Sequence, residues 1–197
     1  LIMLMAPLLG MPIPLTAVQL LWINLVTDGL PGLALGVEPS DPNTMRRPPN
    51  RPNESVLARG LGRYILWVGL LLGAVCLGAL YLTCSMDRAI WQTMVFTTLG
   101  LSQMGNALAV RSDRESLFRL GLLSNKALLG SVILTIVLQL AVIYTPFMQR
   151  IFDTTALTLA QLGICLALST ILFVAVEMQK WVYRCLHPLP AGKVSAA

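Results

Sequence analysis

Charge is what this sequence has least of. Asp, Glu, Lys and Arg make up 12% of its 197 residues, while 56% are hydrophobic. So little charge excludes an ordinary soluble domain of this length, whose surface needs more solvated groups. Histidine is scarcer still: His187 stands alone beside Pro188 and reads as solvated. The four cysteines, Cys76, Cys84, Cys165 and Cys185, show no C-x-x-C spacing and read as packing residues. A basic leader is also missing, which argues against a signal peptide; residues 1–12 are expected to be the end of a transmembrane helix belonging to a longer chain.

What is present is a series of long apolar runs. Residues 14–37, 64–84, 89–110, 127–147 and 156–180 are each long enough for a hydrocarbon core of about 30 Å. The expected fold class is an all-α polytopic transmembrane helix bundle, five full spans plus the partial N-terminal one, with residues 13–197 as one membrane domain. Basic residues orient it, because short cytoplasmic loops carry the Lys and Arg excess. Arg46, Arg47, Arg51, Arg59 and Arg63 follow the first full span, Arg111, Arg114, Arg119 and Lys126 the third, and Lys180, Arg184 and Lys193 the fifth. Only Arg88 and Arg150 fall on the other side. The loops at 38–63 and 111–126 and the tail at 181–197 are therefore expected in the cytoplasm. The net charge of +5 is accounted for by this orientation and calls for a lipid bilayer, not a nucleic-acid partner. The stretch 38–53 holds Pro39, Pro42, Pro48, Pro49 and Pro52, stiff enough to transmit force, or simply a connector.

The first full span contains Asn24-Leu25-Val26-Thr27-Asp28-Gly29-Leu30-Pro31. A charged Asp at mid-bilayer costs at least about 2.5–3.5 kcal/mol, so it comes with a partner, a proton or an ion. At α-helical spacing Asn24, Thr27 and Asp28 share one face. Pro31 has no N–H for the carbonyl of Thr27, and Gly29 and Gly32 loosen the same turn, so the helix is expected to unwind between about residues 27 and 32 and free carbonyls toward a cation. The alternative is a Pro kink in which Asp28 merely holds two helices together. The third full span is polar for a membrane helix, with Gln92, Thr93, Thr97, Thr98, Ser102, Gln103 and Asn106. Its polar face should look into the bundle, making Gln103 and Asn106 candidate neighbours of Asp28; for Asn106 a bond across helices is the favoured role. Oxygen ligands without thiolate or imidazole favour a hard cation over zinc or copper. A Ca²⁺ ion takes about six to eight oxygens, so Asn24, Thr27, Asp28 and Gln103 make an incomplete site.

These residues carry a family likeness. Pro14-Leu15-Thr16-Ala17-Val18-Gln19-Leu20-Leu21-Trp22-Ile23-Asn24-Leu25-Val26-Thr27-Asp28-Gly29-Leu30-Pro31, continued by Met45-Arg46-Arg47-Pro48-Pro49, resembles the sixth transmembrane helix and following loop of the calcium-transporting P-type ATPases, the reticulum type and its bacterial relatives. The resemblance implies that the chain runs from the end of helix five to helix ten. It also implies that Asn24, Thr27 and Asp28 are calcium ligands. Gln103-Met104-Gly105-Asn106 resembles the helix-eight motif, in which reticulum-type pumps have a Glu where Gln103 stands here. One charge fewer implies one Ca²⁺ per cycle instead of two. The Asp-Lys-Thr-Gly-Thr loop of such pumps does not occur in this sequence, so ATP and Mg²⁺ would act only through other domains. Two alternatives stand beside this reading: a related pump for Mn²⁺, Na⁺ or H⁺, and a non-catalytic membrane protein or decayed paralogue.

Overall fold

Apolar runs of this length can satisfy their backbone N–H and C=O groups in lipid only within themselves, so they fold as helices. The computed structural model describes residues 2–37, 61–83, 86–110 and 125–186, and every regular element among them is helical. The greater part of the two expected loops, the tail from residue 187 and Cys84 lie outside the described residues. In chain order the elements are α1 (Ile2–Leu8), α2 (Ala17–Trp22), a π-helical segment (Ile23–Thr27), α3 (Gly29–Gly36), α4 (Leu61–Thr83), α5 (Arg88–Val110), α6 (Lys126–Tyr144), α7 (Pro146–Phe152) and α8 (Leu159–Leu186).

Local chemistry sets the boundaries. α1 stops at Gly10, whose φ of +74° a side chain would disfavour. Gly10 N–H donates to the Pro7 carbonyl and Met11 N–H to the Ala6 carbonyl, the paired bonds of a Schellman stop. α2 begins with a capping box: Thr16 Oγ1 accepts from Gln19 N–H at 3.3 Å, and Gln19 Oε1 accepts from Thr16 N–H at 3.1 Å. The expected span 127–147 ends at Tyr144 instead. Thr145, extended at φ −88°, ψ 121°, precedes Pro146, and that proline opens the separate short helix α7.

Four helical stretches, Ala17–Gly36, Gly62–Thr83, Lys126–Tyr144 and Leu159–Gln179, are long and apolar enough to cross a membrane. α5 matches α4 at 23 residues but is more polar. Its position explains the difference. Residues 91–100 are all buried, and α5 packs most extensively on α8 while also touching α4, α6, α3 and the π segment. A helix walled by other helices need not match lipid. Two of its hydroxyls are satisfied in place: Thr93 and Thr97 each donate to the carbonyl four residues back at 2.7 Å, and Thr93 Oγ1 accepts from Thr155 N–H at 3.0 Å, whereas Thr98 Oγ1 and Ser102 Oγ are buried without a partner. The largest core cluster joins Ile23, Cys76, Leu80, Trp91, Val95 and Phe96, where the π segment, α4 and α5 meet.

Gln19 ties this frame together, since its Nε2 also donates to the Phe152 carbonyl at 2.9 Å from a fully buried position. Gln19→Leu leaves both the Thr16 N–H and the Phe152 carbonyl without that partner. A loss of about 1–3 kcal/mol is expected, read as a lower Tm by tryptophan fluorescence in detergent.

Candidate cation site

The site residues sit where the helical ladder changes. After α2, Asp28 N–H donates not to Asn24 but to the Ile23 carbonyl, at 2.9 Å. This i→i+5 bond marks a widened turn of the kind found at functional sites. The helix then restarts at Gly29, with Gly32 N–H donating to the Asp28 carbonyl at 3.0 Å. The unwinding expected over residues 27–32 is therefore replaced by a π turn at 23–27 and a junction at Asp28. The reason is the placement of Pro31, which falls in the first turn of α3, where its missing N–H costs the helix nothing.

The wide turn also changes which side chains face together. A ladder closed at i+5 has more than four residues per turn, so i and i+4 stay nearly aligned while i+3 swings away. Asn24 and Asp28 are accordingly both exposed, whereas Thr27 is 1% exposed and its Oγ1 has no hydrogen-bond partner. A cavity of about 160 Å³ lies beside the turn, lined by Thr27, Asp28, Pro31, Gln103 and Asn106 among others. Thr27, Asp28 and Gln103 thus meet at one space. Asn24 is not in its wall and faces outward beside Asp28.

Sequence reasoning named Asn106 as a neighbour of Asp28 and favoured a bond across helices for it, but did not identify the partner. Asn106 lines the cavity and also takes a bond across helices, accepting from the Tyr64 hydroxyl at 3.4 Å. Nothing local to Tyr64 signals that pairing. Equally invisible was the Trp22 indole N–H, which donates to Gln139 Oε1 at 3.0 Å just before the π turn.

The donor set is chemically uniform: one carboxylate, one hydroxyl and two amides, all hard oxygen ligands. Among the described residues no group of three or more His, Cys, Asp or Glu comes together. The cavity therefore suits a hard cation and supplies fewer ligands than Ca²⁺ takes. A buried hydroxyl left unpaired costs about 1–3 kcal/mol, a penalty that an ion at Thr27 Oγ1 would remove. A larger cavity of about 360 Å³ opens elsewhere, among Thr16, Arg88, Gln92 and Asp153. The guanidinium in its wall makes it a poor place for a cation.

Comparison with known proteins places the chain in a family. Residues 12–182 match the family described as cation transporting ATPase, C-terminus. A calcium-transporting ATPase of Bacillus subtilis is 42% identical over 161 residues, covering 80% of this chain and 18% of that protein. Calcium-transporting ATPase 1 of Yarrowia lipolytica is 37% identical over 188 residues, covering 91% of this chain and 20% of that protein. The human calcium-transporting ATPase type 2C member 1 is 37% identical over 185 residues, again 91% of this chain and 20% of the relative. The chain spans about a fifth of the length of these relatives.

The register of the turn can be checked directly. With the native cysteines replaced by Ala, a water-soluble thiol reagent should modify Asn24→Cys far faster than Thr27→Cys in detergent, following their exposure. Equal rates would mean that the segment is an ordinary α-helix.

Proposed function

We propose that this chain, which belongs to the cation-transporting ATPase family as its C-terminal region, supplies part of the ion site of an ATP-driven calcium pump. The observation that carries the proposal is the cavity joining Thr27, Asp28 and Gln103, with an unpartnered buried hydroxyl and a carboxylate in one wall. In this reading the Asp28 carboxylate is the central ligand of a transported Ca²⁺, and Thr27 Oγ1 and the Gln103 amide oxygen complete the side that this bundle provides. Asn24 and Asp28 face outward, toward helices that the rest of the pump would contribute. Those helices must bring at least one more acid and several oxygens.

ATP and Mg²⁺ act through domains outside these 197 residues. Its own residues bind and orient the ion, and the Pro-rich stretch 38–53 is the segment that meets the phosphorylated domain. The basic loops and the tail from residue 181 lie in the cytoplasm, and the membrane is that of a bacterial cell or an intracellular calcium store. The names of the relatives favour Ca²⁺ over Mn²⁺, Na⁺ or H⁺.

Two measurements on the complete pump test this. Asp28→Asn should lower Ca²⁺-dependent ATP hydrolysis at least about a hundredfold, because removing one partner of a buried charge pair costs about 3–5 kcal/mol. Undiminished Ca²⁺ transport by that variant would exclude the assignment. Because Gln103 brings no charge, a single Ca²⁺ should move for each ATP hydrolysed, and a measured ratio of two would overturn the stoichiometry.

A further inference from the structure

Gln139 lies on α6 between Leu138 and Leu140, 3% exposed, in a helix otherwise apolar at this level. Its Oε1 accepts the Trp22 indole N–H at 3.0 Å. Its other side rests on α5 at Gly100, where an added Cβ would stand 3.4 Å from both Cδ and Oε1. Trp22 is the last residue of α2 and immediately precedes the π turn. Its ring is held a second time by Phe152, edge-on at 5.0 Å between centroids and 76° between planes. One indole is thus fixed by α6 and α7, and the amide that fixes it is itself seated on α5.

Stability alone does not account for an amide at this position. Gln139 gains one hydrogen bond through Oε1, while its buried Nε2 has no partner. A net bond and an orphaned donor nearly cancel, so an apolar side chain of similar size would hold the three helices about as well. What Leu could not do is hold the indole N–H at one rotational position. The π turn that follows is one residue away from an α register, and each residue of shift in an α-helix rotates side chains by about 100°.

We propose that Gln139 is a positioning residue for the cation site: by anchoring the Trp22 indole it fixes the rotation of the Ile23–Thr27 turn and so aims Asn24, Thr27 and Asp28. The inference rests on the calcium-site reading above. It assigns to α6, which contributes no ligand, control over the affinity of the site.

The test is the Ca²⁺ dependence of ATP hydrolysis by the complete pump. Gln139→Leu and Trp22→Phe should each raise the half-saturating Ca²⁺ concentration about three- to tenfold, the worth of one buried hydrogen bond, with little change in maximal rate. The double variant should match either single one, since both remove the same contact. Gln139→Glu, whose carboxyl in protonated form keeps an acceptor oxygen for the indole, should retain wild-type affinity. A merely structural role would lower yield or maximal rate and leave half-saturation alone, and that outcome overturns the proposal. If Gln139→Leu fails to fold, Trp22→Phe, which removes the indole N–H from the other side of the same bond, takes its place, and an unchanged Ca²⁺ dependence there counts equally against it. Asp28→Asn separates the two failures. Loss of Ca²⁺ dependence in Asp28→Asn with wild-type affinity in Gln139→Leu removes only the positioning role. Retained Ca²⁺ dependence in Asp28→Asn removes the site and the positioning role with it.

Discussion

A single carboxylate at membrane depth, with no Lys or Arg in the wall of its cavity, is the constraint around which this bundle is organised. An unpaired charge there is costly, and the backbone that carries it departs from a regular helix. The departure is small: the ladder widens for one turn at Ile23–Thr27, then a new helix starts at Gly29. That change turns Asn24 outward, away from the buried hydroxyl of Thr27, while Asp28, itself exposed, still lines the cavity that Thr27 lines. Oxygen ligands are thereby divided between a cavity inside the bundle and a face open to other helices.

The surrounding helices hold this turn from both ends. On the α2 side, Thr16 and Gln19 cap the entry, and Gln19 reaches Phe152 while Trp22 reaches Gln139. On the far side α3 packs on α6 and touches α5, which brings Gln103 and Asn106 to the cavity. α5 can carry these amides because it is enclosed, with the Thr93 and Thr97 hydroxyls returned to its own backbone. A lipid-facing helix of the same composition would be poorly soluble in the bilayer. Polarity, burial and proximity to the site are thus one property of α5.

Much of this was legible in the residues. Hydropathy located the long helices to within a few residues, and the polar stripe on the third span marked α5 as interior. Asp28, Thr27 and Gln103 were singled out by residue type and depth. The form of the break was read wrongly, because a missing N–H at Pro31 suggests an opened backbone unless the helix restarts at Gly29. Tyr64 and Gln139 were not legible as partners, since each meets its neighbour across more than forty positions of chain.

The sequence by itself determined that this is a helical membrane protein with an intramembrane acid, because transfer energy depends on residue type and run length and not on neighbours. It determined the likeness to calcium pumps for the same reason, through contiguous residues. Tertiary structure alone decided which oxygens share a cavity and which face outward. That outcome depends on one residue of helical register, and register is set by packing at Trp22, Gln139 and Phe152. Contacts between distant helices leave no periodic trace in any one of them.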